Sequence, residues 1–233
     1  MEFLHAILDF FLHLDDHLHT MILEYGIWIY VILFLIIFVE TGLVVMPFLP
    51  GDSLLFAAGT FCAGVVNDQG EAANLNLFLV LGLLIIAAIA GDGLNYFLGK
   101  KVGLRMLQMK IGGRQLVKQK FIDQTHVFYE KHGPKTIIIA RFVPIVRTFA
   151  PFVAGIGDMK YSKFIQYNII GGVIWVLGLT LLGYFFGTLP FVQKNFELVI
   201  FGIIGLSVLP IIFEFIKAKM KSKKKDDKTG SDR

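Results

Sequence analysis

Residues 135–157 read KTIIIARFVPIVRTFAPFVAGIG, an apolar run that carries Arg141 and Arg147 and is interrupted by Pro144 and Pro151. A charge at the bilayer centre costs roughly 2.5–3.5 kcal/mol on insertion scales. Each proline removes a backbone donor and clashes with a continuing helix. Broken backbone survives at membrane depth only where protein shields it or where it lines a watery cavity. Charge and break in one segment exclude a plain lipid-facing span and suggest a site for something anionic.

The remaining chain sets this segment in a membrane. Of 233 residues, 55% are hydrophobic and 17% charged, and the mean hydropathy is +0.69. That composition fits one modest integral membrane domain and not a soluble globule. Every Lys and Arg lies at or beyond Lys100, whereas residues 1–26 carry Glu2, Asp9, Asp15, Asp16 and Glu24. No basic region opens the chain, so no cleavable signal peptide is expected. The basic pI of about 9.1 fits positive-inside topology better than nucleic-acid binding. The single Cys62 reads as a small apolar filler. No Cys/His spacing suits a metal, and no cofactor motif is present.

Residues 1–26 place Leu4, Ile7, Leu8, Phe11, Leu14 and Leu18 at helical spacing, which predicts an amphipathic interfacial helix. Its histidines at 5, 13, 17 and 19 would suit metal binding or pH sensing, although a solvated polar face accounts for them as well. Residues 27–66 form two apolar stretches separated by Pro47, Pro50, Gly51 and Asp52. Such a break predicts a re-entrant hairpin rather than two full spans. Residues 77–99 are long enough to span, and 100–134 form a basic segment expected on the cytoplasmic side. Residues 135–157 are the second predicted re-entrant hairpin. Spans at 164–187 and 196–216 follow, and then a basic tail, 217–233, expected to be disordered and cytoplasmic. The expected architecture is an all-α membrane protein of one domain, 1–216. Charge sidedness closes this layout with the N-terminal helix outside, its least constrained placement.

The two halves resemble each other. HTMILEYG at 19–26 and HVFYEKHG at 126–133 each precede an apolar segment. FAAG at 56–59 corresponds to FVAG at 152–155, and YFLG at 96–99 to YFFG at 184–187. Hairpins entering from opposite faces make the predicted repeat inverted, the plan by which transporters build one midplane site from two discontinuous elements.

Glu40 and Asp52 flank the first break, as Arg141 and Arg147 flank the second. Meeting hairpin tips would gather all four in one cavity. Buried ion pairs that only hold the hairpins together are the plainer alternative, but desolvation offsets much of their attraction. The planar guanidinium fork suits phosphate oxygens. Burial and a neighbouring arginine act oppositely on a carboxyl group, so gain or loss of a phosphate would alter proton affinity. Asp92, Asn95 and Tyr96, near the end of the 77–99 span, are weaker candidates. An interfacial cap, or pairing of Asp92 with Lys100 or Lys101, explains them equally well.

ETGLVVMPFLPGDSLLFAAG at 40–59, GDGLNYFLGK at 91–100 and FYEKHGPKTIIIARFVPIVRTFAPFVAG at 128–155 together resemble the DedA family of bacterial inner-membrane proteins, which is related to VTT-domain lipid scramblases. The resemblance covers about residues 10–215. It implies two opposed re-entrant hairpins, a bacterial inner-membrane location and translocation of undecaprenyl phosphate or, in some members, phosphatidylethanolamine. It also implies that the functional acidic pair is Glu40 and Asp52 and that the functional arginines are Arg141 and Arg147.

The leading expectation is a proton-coupled flippase for undecaprenyl phosphate, with lipid and protons as partners and the oligomeric state open. A phospholipid flippase or scramblase is the nearest alternative. A proton-coupled small-solute transporter would use the same carboxylates, yet the arginines would repel a cation. An enzyme is not expected, because no nucleophile stands with a base at recognisable spacing.

Overall fold

In the computed structural model the described residues are 22, 24–43, 51–66, 72–108, 110–111, 114–115, 133, 135–196, 198–199, 202–203 and 205. Helices dominate them: α1 (Trp28–Gly42), α2 (Gly51–Cys62), α3 (Leu77–Gln108), α4 (Lys135–Ala140), α5 (Pro144–Ile156), α6 (Tyr161–Phe186) and α7 (Pro190–Lys194). Two antiparallel pairs of two-residue strands, Val65–Val66 with Ala72–Ala73 and Lys110–Ile111 with Arg114–Gln115, add minor β structure to the expected all-α fold. The expected amphipathic helix at 1–26, most of the last span and the basic tail lie largely or wholly outside the described residues, as do Pro47 and Pro50.

Segments Leu77–Lys101 and Tyr161–Phe186 are long and apolar enough to cross a membrane. Only 39% and 33% of their apolar windows are buried. Phe78, Ile86, Phe185 and Ile170 face outward, as a lipid solvent favours and a soluble core does not. α3 extends beyond the expected span end at Gly99 to Gln108, carrying the helix into the basic segment.

Four of the short helices each lie mainly against one long helix: α1 and α5 pack on α3, while α2 and α4 pack on α6. Each broken segment is therefore divided between the two long helices. Small residues allow two close crossings. A Cβ on Gly183 would lie 1.9 Å from the Phe56 carbonyl oxygen, and one on Gly59 would lie 2.0 Å from that of Thr180. The other crossing repeats this contact, with a Cβ on Gly99 placed 2.1 Å from the Phe152 carbonyl oxygen and one on Gly155 placed 2.1 Å from that of Tyr96. The FAAG and FVAG matches thus occupy equivalent positions. The YFLG/YFFG match is displaced by one helical turn, because contacts equate Gly99 with Gly183 and not with Gly187.

The second break falls at Arg141–Val143. Pro144 occupies the start of α5 and Val143 is extended, φ −119°, ψ 105°, the conformation that steric conflict with a following proline favours. Pro151 does not break the chain as expected. It lies inside α5, where the missing donor is tolerated by a helix packed along α3.

Two apolar clusters flank a buried polar layer. Along α3, Val80, Leu84, Ala87 and Ala88 belong to the first cluster and Tyr96 to the second, with Asp92 and Asn95 between them. Along α6, Phe164 belongs to the second cluster and Trp175 and Val176 to the first, with Asn168 between them.

Gly183→Ala is expected to destabilise the protein by about 1–3 kcal/mol through overpacking, seen as a lower melting temperature in detergent. Gly178→Ala, where no atom lies within 4 Å of the added Cβ, should leave it unchanged or raise it.

Candidate functional site

Glu40 lies in the last turn of α1 and is 1% exposed. Its carboxylate accepts the Gly51 backbone N–H at 3.2 Å, at the beginning of α2, where helix amides favour an anion. A Cβ on Gly51 would lie 1.8 Å from Glu40 Oε2. Gly51, expected simply as a break, is therefore the space that admits the carboxylate.

Arg147, in the first turns of α5, divides its guanidinium between two acids. Nη1 donates to Asp52 Oδ1 at 2.6 Å, and Nη2 donates to Glu40 Oε1. Asp52 Oδ1 also accepts the Trp175 indole N–H at 2.8 Å. The Arg147 guanidinium lies 4.9 Å from the Trp175 ring centroid, within cation–π range. Three short helices and one long helix thus converge through α1, α2, α5 and α6.

Arg141 makes a separate cluster. Nη2 contacts Asp92 and the Asn168 amide oxygen, with the Ala88 carbonyl at 3.5 Å. Asn168 Nδ2 donates to the Ile89 carbonyl at 3.0 Å, fixing which amide end faces the guanidinium. Gly171 and Gly172 make room for the side chain, since a Cβ on either would lie 3.0 Å from Arg141 Cδ or 3.5 Å from Nη2 respectively. Arg141 is 5.8 Å from the Trp175 ring centroid, so Trp175 links the two clusters.

The expected foursome is therefore rearranged. Glu40, Asp52 and Arg147 come together as expected, but Arg141 takes Asp92. Asp92 is 3% exposed and is not an interfacial cap or a partner of Lys100; Lys100 pairs with Asp158 at 2.9 Å. Asn95 reaches the centre too, donating to the Thr41 carbonyl at 3.1 Å and the Thr148 carbonyl at 2.7 Å. These carbonyls belong to the residues that follow Glu40 and Arg147, so one amide pins both partners of that ion pair. Tyr96 does not join the charges. It stacks on Phe164 with centroids 4.6 Å apart and donates its hydroxyl to the Met159 carbonyl.

Sequence reasoning missed Trp175 and Asn168. A tryptophan in mid-span is a usable signal, because this residue favours membrane interfaces. The Gly171-Gly172 doublet beside a buried Asn is another.

Among the described residues, three carboxylates (Glu40, Asp52, Asp92) face two guanidinium groups (Arg141, Arg147) in this layer. With all ionised, it holds one excess negative charge. Such a layer cannot accept an anion without moving or neutralising a carboxylate, since an unpaired buried charge is costly. Among the described residues, Glu40 Oε2 and Arg141 Nε, both buried, meet no hydrogen-bond partner, leaving hydrogen-bonding capacity on both signs. No group of three or more His, Cys, Asp or Glu suited to a metal occurs among the described residues.

Asn95→Leu should leave the Thr41 and Thr148 carbonyls without this donor and cost about 1–3 kcal/mol. Thermal unfolding in detergent would show this as a lowered midpoint, whereas an unchanged midpoint would remove Asn95 from the clamp.

The VTT domain family matches residues 49–185, more than half of the chain. The chain is 52% identical to Protein DedA of Escherichia coli K12 over 94% of its own length and 96% of that relative. It is 40% identical to an uncharacterized membrane protein of Mycobacterium tuberculosis, covering 76% of this chain and 74% of the other. With the inner membrane protein YqjA of E. coli K12 the identity is 32%, over 79% and 80% of the two chains. No solved structure matches. Two membrane-length helices, the buried charge layer and these likenesses agree: the chain belongs to the DedA family of VTT-domain membrane proteins.

Proposed function

We propose that the chain is a flippase for a phosphate-headed lipid, undecaprenyl phosphate, in the bacterial inner membrane, and that it exchanges the lipid phosphate for carboxylates on Arg147. The observation that carries this reading is the fork of Arg147 between Glu40 and Asp52. A guanidinium at membrane depth offers a phosphate the paired donors it needs. Here those donors are already taken, so binding requires the acids to let go.

A carboxylate deprived of its guanidinium binds a proton more readily. Lipid arrival and proton uptake are thereby coupled, and the excess negative charge of the layer makes the proton necessary. This route allows a proton gradient to drive exchange without an enzymatic step. Arg141 holds the second head-group position, backed by Asp92 and Asn168. Re-entrant hairpins repeated in inverted orientation suit the scheme, and the twice-occurring glycine crossing supports that arrangement. The basic segment and tail then face the cytoplasm.

Purified protein in detergent should bind undecaprenyl phosphate, and Arg147→Ala should weaken binding by roughly ten- to a hundredfold, the loss of one to two charge-assisted hydrogen bonds. Arg141→Ala should weaken it less, because its guanidinium is more enclosed. Unchanged affinity in both variants would reject the head-group role. In proteoliposomes, faster leaflet exchange of phosphatidylethanolamine than of undecaprenyl phosphate would favour a phospholipid flippase or scramblase.

A further inference from the structure

A groove of about 290 Å³ runs between α3 and α6, lined by Ile86, Ile89, Gly93, Phe97, Tyr161 and Ile165 among others. Eleven residues of helix rise separate Ile86 from Phe97, about 16 Å at 1.5 Å per residue. Its outer wall faces away from the protein, with Ile86 57% and Phe97 51% exposed. Phe97 and Tyr161 close one end, their rings 5.0 Å apart. Both parent helices are of membrane length, so the groove opens into hydrocarbon.

We infer that this groove holds the hydrocarbon chain of a single-tailed polyprenyl phosphate while its head group occupies the arginine layer. The inference rests on the head-group reading above and names the part of the lipid that reading leaves unplaced. Three observations support the assignment. The first is continuity with the charges. Ile89 lines the groove, and its side chain and the Arg141 guanidinium both crowd the same glycine, at 3.2 Å and 3.5 Å from a Cβ built on Gly172. The second is Gly93. It follows Asp92, yet no helix needs it for packing, because a Cβ there would meet only the Tyr161 hydroxyl at 3.8 Å. A glycine weakens a helix interior, and here the missing side chain deepens the groove floor. The third is size: this volume lies at the low end of ligand pockets, which run from roughly 300 to 1,000 Å³. It is the scale of one hydrocarbon chain segment.

The described residues that follow α6 pack elsewhere. Val192, Phe196, Val199 and Ile203 join the first apolar cluster with Phe56, on the α2 side. A polyprenyl chain also avoids exposing a hydrocarbon tail to the polar layer while the head is bound there.

The test is photolabelling of the full-length protein in phosphatidylcholine vesicles, with a polyprenyl phosphate that carries a diazirine within its chain. Labels should concentrate on the Ile86–Phe97 stretch and on Tyr161 and Ile165. Gly93→Leu should reduce these labels several-fold, with Gly93→Ala intermediate. Labels on outward-facing Phe78 and Phe185 should not change, and the variants should keep the wild-type elution profile and unfolding midpoint. Equal labelling of groove, Phe78 and Phe185, or groove labelling that folded Gly93→Leu leaves intact, would overturn the proposal. So would equal groove labelling by a two-tailed diazirine phosphatidylcholine, or protection of the groove by a second copy or by another segment of this chain. If the matching prenol without phosphate labels the groove as strongly, the groove assignment stands and the head-group reading fails.

Discussion

The contact on which the arrangement depends is Arg147 between Glu40 and Asp52. Those acids lie 107 and 95 residues away in sequence; Arg147 and Glu40 are buried, and Asp52 is largely so. No local preference brings these groups together, and neither charge could remain alone at that depth. The ion pairs therefore select the packing of α1, α2 and α5 on the two long helices. Breaking one by removing a partner leaves an uncompensated charge, which is far more damaging than losing a surface pair. The glycine crossings and Asn95 clamp serve the same geometry, bringing backbones close enough for short side chains to meet.

A structure held mainly by close backbone contact and buried polar groups fits its solvent. Lipid tails are as apolar as leucine, so packing and hydrogen bonds drive helix association where hydrophobic burial cannot. Small residues at the crossings and polar side chains at the centre follow from that constraint. Trp175 ties the two arginine clusters together because one ring supplies an indole donor to Asp52 and a π face near both guanidinium groups. A change in either cluster is thus felt at a shared side chain.

Much of this was legible in the sequence because the bilayer makes charge and proline costly. Arg141, Arg147, Glu40 and Asp52 stood out for that reason, as did the break before Pro144. Pairing was less legible. Asp92 lies near enough to Lys100 in sequence to suggest an interfacial role, but helical geometry turns it inward toward Arg141. Pro151 looked like a second break, although a packed membrane helix continues through it. Matching YFLG with YFFG sets Gly99 against Gly187, whereas the glycine contacts equate Gly99 with Gly183, because letters recur more loosely than contacts. Asn168 and Trp175 gave no charge signal; a mid-span tryptophan and a glycine doublet mark the place in sequence but not the partners.

The proposed transport cycle reduces to a competition between carboxylate and phosphate for one guanidinium, with a proton resolving it. Calorimetric titration with undecaprenyl phosphate in buffers of different ionisation enthalpy measures that proton directly. At about pH 8 the lipid phosphate is already doubly charged, its second pKa being about 6. The account predicts net proton uptake on binding, lost when Glu40 and Asp52 are replaced by Gln and Asn. Binding with no proton uptake, or with proton release, would contradict it.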